Sequence, residues 1–247
     1  MIKRSIIILM LCLLAGVDAS AQTQKVQRRP YTDLRPFHFG IHIGAHMQDV
    51  EFLNVGPITY VDDDGVTKES YVTCDQDRMD PGFNVGVLGE FRLTENFQLR
   101  IAPAIYFGSR HLVFRDYTDN PEEEVVTRQS VKSALITTSV DIIFAAPRCN
   151  NHRAYLMAGV VPTFNLTGNA TDFVRLKRFQ AFLEVGVGID QYLRFFKCRP
   201  ELKFMFGLGN GLDTGHADQL QDKTMIRFGK SVSSAHTKMF TLTLYFE

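Results

Sequence analysis

The sequence predicts an all-β protein, an eight-stranded antiparallel up-and-down transmembrane β-barrel with a filled lumen. Every second residue from Phe37 to Ile43 is apolar, and seven further segments show a similar alternation. Successive side chains of a strand point to opposite faces, so each segment has one apolar face and one polar face. An export signal precedes these segments, and this combination is typical of an outer-membrane barrel.

The first 21 residues have the form of a signal peptide. Lys3 and Arg4 supply the positive start, and Ala19–Ala21 is a cleavage site of small residues around a serine. A membrane anchor is the alternative, but the apolar run Ile6–Val17 has 12 residues, and a spanning helix needs about 20. We therefore predict that residues 1–21 are removed after export.

The remaining chain suits one domain. Residues 22–36 are polar and basic and are predicted to form a periplasmic lead-in, and residues 37–247 are predicted to form the barrel. The formal net charge of the full chain is zero, so a nucleic-acid partner has no electrostatic support. The protein is predicted to lie in the outer membrane.

Turn signals separate the first four strands. An acidic loop with the turn sequence Asp62–Gly65 follows the first strand, Thr94–Asn96 joins the second to the third, and a loop with Glu122–Glu124 precedes the fourth. The four predicted strands are residues 37–48, 82–93, 97–110 and 131–146.

The last four strands are bounded in the same way. The short segment 147–152 leads into the fifth strand, a loop with Gly168 and Asn169 follows it, and a turn at Arg194 and Phe195 joins the sixth to the seventh. The predicted strands are residues 153–166, 179–193, 196–209 and 237–247.

The loop lengths support a barrel over a soluble β-sandwich. They run long, short, long, short, medium, short and long, and outer-membrane barrels have short periplasmic turns and longer external loops. A sandwich has no reason to alternate in this way, and soluble strands are usually about 5 or 6 residues long. An even number of strands places both termini in the periplasm. Pro103 and Pro162 fall inside strands, where we expect β-bulges.

Polar residues on the inward face are predicted to fill the lumen, because an eight-stranded barrel is just wide enough for its side chains to do so. Acidic and basic groups are mixed, which allows the charges to pair. Histidines recur every four residues on the first strand, about 13 Å apart, which is too far for adjacent members to share one metal directly. We expect them to bond to lumen carboxylates, and a metal or pH-sensing role is the alternative. No metal or cofactor is predicted. The predicted lumen network is His38, His42, His46, Glu90, Arg100, Asp141, Glu184, Glu201 and Lys203.

Three cysteines follow the signal peptide: Cys74, Cys149 and Cys198. No Cys-x-x-Cys pair occurs, so a zinc or redox motif has no support. Cys149 and Cys198 lie at short turns on the same predicted side, and an oxidising compartment permits a disulfide between them.

The run Asp33-Leu34-Arg35-Pro36-Phe37-His38-Phe39-Gly40 resembles the start of the PorT (SprT) family, and Asp80-Pro81-Gly82-Phe83 fits the same family. The resemblance implies an outer-membrane barrel of the Bacteroidetes, similar to OmpA and OmpX, that is required for type IX secretion and associated gliding motility. It supplies no catalytic residues, so it implies a non-enzymatic accessory role in secretion.

Such a role implies partners. The expected partners are outer-membrane lipid and other secretion components in the periplasm or the outer membrane. Basic residues of the lead-in and the short turns are candidate contacts, with ordinary solvation as the alternative. These residues are Arg28, Arg29, Arg35, Arg148, Arg194, Lys197 and Arg199.

Two other functions stay open. A structural or adhesive barrel would act through its long external loops. A lipid-modifying barrel enzyme would need a nucleophile and a base, but serine, histidine and aspartate are scattered and no G-x-S-x-G motif occurs.

Overall fold

The computed structural model describes residues 26–61, 65–118, 125–168, 172–217 and 225–247. The predicted signal peptide lies outside these residues, as do Asp62–Asp64 of the first loop and Glu122–Glu124 of the second.

Eight long strands of the described chain close into a ring. Each pairs antiparallel with its neighbour, and the first also pairs with the last. This confirms the predicted eight-stranded, up-and-down barrel. The strands are β1 (Phe37–Asn54), β5 (Asp80–Arg92), β6 (Phe97–Asp116), β7 (Val125–Ala145), β8 (His152–Asn165), β9 (Phe179–Tyr192), β10 (Lys197–Leu208) and β11 (Val232–Phe246).

Smaller elements lie in the connections. In the first loop, β2 (Ile58–Val61) pairs with β3 (Thr67–Ser70), and β4 (Val72–Asp75) pairs with the end of β6. A short helix, α1 (Ile226–Lys230), precedes β11, and a 3-10 turn precedes β1. Within the described ranges, no helix has the length and apolar character that a bilayer crossing requires.

The two ends of the barrel differ. The short-turn end carries Phe37, Phe246 and the three short connections, and the long-loop end carries the others. At the long-loop end β1, β6, β7 and β11 extend several residues beyond their predicted limits, because apolar residues continue inside the ring there. We call this cluster the cap core: Val50, Val72, Cys74, Leu112, Phe114, Val174, Leu176, Leu212, Phe228, Val232 and Ala235.

The strands are staggered. A path along cross-strand partners starts at one β1 residue and returns to β1 ten residues further along, and such a stagger requires strands tilted against the barrel axis. The path also carries several predicted lumen residues in one row around the interior. It runs through His38, Glu90, Arg100, Asp141, Gly159, Glu184, Met205, Met239 and Gln48.

The expectation of β-bulges at Pro103 and Pro162 is wrong. The register is the same on both sides of each proline in every ladder that β6 and β8 form. A proline removes one backbone donor, and the strands tolerate that loss without inserting a residue.

The outer face is apolar, as a lipid-facing surface requires. Phe39 and Ile41 are exposed over 77% and 61% of their surface. Phenylalanine pairs lie along the rim of the short-turn end, where aromatic residues favour the membrane–water interface. The ring centroids are 4.9 Å apart for Phe37–Phe91, 5.2 Å for Phe97–Phe144 and 6.0 Å for Phe196–Phe246.

Candidate functional site

Arg199 is the centre of an ionic network inside the lumen. It lies on β10, whose odd-numbered residues point inward from Lys197 to Met205, and it is completely buried. Its Nη1 lies 2.5 Å from Glu90 Oε2 and 2.6 Å from Glu247 Oε1, and its Nε lies 2.6 Å from Asp190 Oδ1. One guanidinium thus neutralises carboxylates from three other strands or strand ends, since arginine presents several donors in a fixed plane.

Arg100 extends this network across the lumen. Its Nε lies 3.3 Å from Glu90 Oε2 and its Nη1 lies 2.6 Å from Glu201 Oε2. Tyr155 donates its hydroxyl to the same oxygen of Glu201 at 2.6 Å. The Arg100 guanidinium lies 4.5 Å from the centre of the Tyr245 ring, a favourable cation–π distance.

Two lysines complete the network. The ammonium of Lys203 lies 3.4 Å from Glu184 Oε2 and 3.8 Å from Glu201 Oε1. Lys197 lies 2.5 Å from Glu247 Oε2 at the short-turn end. Because every basic group here faces carboxylates, the large cost of burying charge is offset, and paired side chains fill the lumen at this level.

Gly159 makes room for the carboxylate of Asp141. It lies between Asp141 and Glu184 in neighbouring strands. A Cβ at this position would meet Asp141 Oδ1 at 2.2 Å and the Val140 carbonyl oxygen at 2.4 Å. The missing side chain is therefore a packing requirement of the lumen.

The three β1 histidines occupy different surroundings. His42 and His46 are buried and lie 4.9 Å and 5.1 Å from the rings of Tyr245 and Tyr106. His38 instead faces Glu247, with its Nδ1 3.7 Å from Oε2. In the part of the chain that the structure describes, no three His, Cys, Asp or Glu residues converge as a metal site would require.

Residues 26–36, which we call the strap, cross the short-turn end of the barrel. At one side Asn151, in the β7–β8 turn, accepts a hydrogen bond from the Arg28 amide at 2.9 Å and donates one to the Val26 carbonyl at 3.2 Å. At the other side Arg92 donates its amide to the Pro36 carbonyl at 2.9 Å. The strap therefore runs from the β7–β8 turn to β5, which lie on different sides of the ring.

Asp33 holds the middle of the strap. Its Oδ1 accepts a hydrogen bond of 2.6 Å from the Tyr192 hydroxyl on β9. Its carboxylate also lies 3.5 Å from Arg148 Nη1 and 4.0 Å from Arg153 Nη1. The Arg148 guanidinium stacks 3.6 Å from the centre of the Tyr192 ring, so one aspartate ties the strap to two strands and a turn.

The candidate partner contacts fall into three groups. Arg28, Arg35 and Arg194 are exposed. Arg29 and Arg148 are partly buried, and both bind within the short-turn end: Arg29 donates to the main-chain oxygen of Glu247 at 3.0 Å, and Arg148 donates to the Arg29 carbonyl at 3.3 Å.

Lys197 and Arg199 correct the prediction of surface contacts. Both are at most 1% exposed and belong to the lumen network. β10 begins at Lys197, so these residues take inward positions of a strand rather than positions in a solvated turn.

The possible disulfide between Cys149 and Cys198 is absent, since both residues are free thiols in the structure. Cys149 lies in the turn that precedes β8, Cys198 lies on β10, and β9 separates these two strands. Two strand spacings are about 10 Å. A disulfide needs Cα atoms within about 7 Å. Cys74 is buried in the cap core, and burial raises the pKa of its thiol.

Sequence reasoning missed several site residues. Tyr155 and Glu247 continue the inward alternation of β8 and β11, so strand periodicity would have found them. Tyr192 and Arg92 could not be found in this way as partners of the strap, because no sequence pattern places the strap over particular strands.

A family model matches most of the chain. Residues 20–213 match the family model described as "Outer membrane protein beta-barrel domain". Similar solved structures include Neisserial surface protein A (9% identity, 85% of this chain and 98% of that chain covered, TM-score 0.43) and OprG from Pseudomonas aeruginosa (10%, 91% and 96%, 0.44). Ail of Yersinia pestis, in complex with the heparin analogue sucrose octasulfate, has 12% identity over 86% of this chain and 99% of that chain, with a TM-score of 0.38. No curated protein matches the chain.

Proposed function

The chain belongs to the outer membrane protein beta-barrel domain family, and we propose that it is a non-enzymatic accessory component of type IX protein secretion. It acts at the periplasmic face of the outer membrane, where it assembles or stabilises the translocation machinery. The PorT-like run Asp33–Gly40 and the buried charge network, which closes the lumen, support contact with partners over passage through the barrel.

The strap is the observation that carries this proposal. The PorT-like run begins at Asp33, which anchors the strap through Tyr192 and Arg148. The strap also exposes Tyr31 and Leu34 over 76% and 61% of their surface. Exposed apolar groups beside arginines are typical of a protein-binding surface.

The proposal requires that the short-turn end faces the periplasm, and Cys149 provides a test. Its thiol is exposed on the β7–β8 turn. We expect a membrane-impermeant maleimide to leave Cys149 unlabelled in intact cells and to label it after the outer membrane is permeabilised. The variant Ser130→Cys in a Cys149→Ser background moves the thiol to an exposed position of β7 at the long-loop end. This thiol should be labelled in intact cells. The reverse labelling pattern would contradict the orientation.

The first functional measurement is deletion in the native host, with comparison of secreted and periplasmic proteins. We expect cargo to accumulate in the periplasm while the envelope stays intact, and the full chain to restore secretion. Normal secretion with lost surface binding would favour the adhesive alternative, and a detergent-sensitive envelope would favour the structural one.

Two aspartate variants locate the acting surface in the same deletion strain. Asp33→Ala removes the anchor of the strap, and Asp213→Ala removes a comparable ion pair at the long-loop end, where Arg175 Nη2 lies 2.8 Å from Asp213 Oδ2. We expect Asp33→Ala to lower secretion several-fold at normal barrel abundance and Asp213→Ala to leave it unchanged. Loss of secretion with Asp213→Ala alone would move the acting surface to the external loops.

A further inference from the structure

A groove of about 440 Å³ opens at the short-turn end of the seam between β1 and β11. The β1–β11 ladder begins at the pair Ile41–Phe246, whereas β1 pairs with β5 from Phe37 onward. In the described ring, the first four residues of β1 therefore pair with β5 on one side. On their other side, next to the end of β11, lies the groove.

One wall of the groove is apolar and faces the bilayer. Phe39, Ile41 and Phe246 line it. The groove begins at the aromatic rim, to which Phe37 and Phe246 belong. Because such a rim marks the membrane–water interface, the mouth of the groove lies at the depth of lipid headgroups, and its wall continues toward the acyl chains.

Two arginines lie at the mouth of the groove. Arg35 is exposed and has no ion pair among the described residues. Arg29 donates one hydrogen bond to the main-chain oxygen of Glu247, which leaves its other donors for a ligand. The Glu247 carboxylate does not neutralise them, because it binds Lys197 and Arg199 inside the lumen.

We propose that this seam groove binds one anionic phospholipid. Arg29 and Arg35 bind its phosphate, and Phe39, Ile41 and Phe246 pack against its acyl chains. The assignment rests on the orientation proposed above, which places the groove in the periplasmic leaflet. Two guanidinium groups suit a phosphate, and basic residues near a membrane surface attract anionic lipids.

The groove fits a lipid better than an added peptide strand. A Cβ on Gly40 would lie 2.2 Å from the carbonyl oxygen of Phe246, so β11 already closes the edge of β1 at Gly40. Only the short stretch from Phe37 to Phe39 stays open, and strand addition relies on main-chain hydrogen bonds along an extended edge.

Native mass spectrometry of the full mature protein in nonionic detergent tests this assignment. The probes are phosphatidylglycerol and phosphatidylethanolamine with identical acyl chains. We expect the protein to retain one phosphatidylglycerol in preference, and the double variant R29Q/R35Q to bind it about 30-fold more weakly. The matched control R28Q/R194Q removes two exposed arginines outside the groove and should bind as the unchanged protein does.

Equal affinity of R29Q/R35Q and R28Q/R194Q would overturn the assignment, and so would equal retention of the two lipids. Displacement of phosphatidylglycerol by millimolar inorganic phosphate would assign the groove to a soluble anion instead. This assay does not depend on secretion, so its failure leaves the secretion proposal standing. Normal secretion in the deletion strain would likewise leave the lipid-binding proposal standing, because the binding assay uses the purified protein.

Discussion

Replacing Arg199 with methionine should destabilise the folded barrel by about 3–5 kcal/mol, the cost of removing one partner from a buried ion pair. The substitution leaves the carboxylates of Glu90, Asp190 and Glu247, each exposed over 3% of its side chain or less, without their shared cation. Arg100 and Lys197 still face Glu90 and Glu247, but Asp190 has no second cation as an ion-pair partner among the described residues. Asp190 should therefore account for much of the loss.

The measurement is urea-dependent unfolding in phospholipid vesicles. The folded fraction is read from a gel, on which folded and unfolded barrels migrate differently. The chain has no tryptophan, so intrinsic tryptophan fluorescence cannot report the transition. Arg194→Met is the matched control, because Arg194 is exposed and surface changes usually stay within about 0.5 kcal/mol. The double variant R199M/D190N should recover part of the lost stability. Equal stability of R199M and R194M would contradict the role assigned to the network.

Replacing Phe114 with alanine should open the cap core while the membrane-spanning ring stays folded. Phe114 is completely buried, and its ring lies edge-on to Phe173 and Phe228 at centroid distances of 5.4 Å and 5.5 Å. Truncation of a buried phenylalanine costs about 3–5 kcal/mol. Because these contacts lie at the long-loop end, the loss should appear as local opening, at least 100-fold more frequent than in the unchanged protein.

Trypsin cleavage at Arg227 and Lys230 reports this opening, since both lie on α1, which holds Phe228 in the cap core. Cleavage tracks the population of the open form when opening is fast. Phe195→Ala is the control, because Phe195 is exposed over 83% of its surface at the short-turn end. An unchanged cleavage rate for Phe114→Ala, or a simultaneous loss of the folded-barrel gel band, would show that the cap core is not an independent unit.

The strap and the cap core show why a strand pattern gives only part of the structure. Alternation predicts a strand wherever one face meets lipid. At membrane level the predicted strand limits therefore lie within a few residues of the observed limits. Beyond the membrane the outer face of β1 and β7 no longer needs to be apolar, and the strands continue to Asn54 and from Val125 with a weaker pattern. The sequence pattern therefore predicts loops where these extensions lie.

The lumen residues also divide into those that the sequence predicts and those that only the structure reveals. Inward-facing polar residues such as Glu90, Arg100 and Glu201 were predicted from strand position and form the network, because the face of a side chain is fixed by its own strand. Lys197 and Arg199 fall inside the predicted strand 196–209, and the prediction of surface contacts is wrong because the first residues of this strand already point into the lumen. The distance between Cys149, in the turn before β8, and Cys198, on β10, depends on β9 lying between these two strands, which a linear spacing does not contain.

Local patterns in the sequence specify the class of the protein, the number of barrel strands, the lipid-facing side of each and the ends that carry short and long connections. These properties depend on local alternation and turn chemistry. The tertiary structure alone decided which charges pair, how the strap crosses the barrel and where the seam groove opens. These depend on the ten-residue stagger of the closed ring, which brings together residues that are distant in sequence, such as Glu90 and Arg199, and no local pattern encodes that stagger.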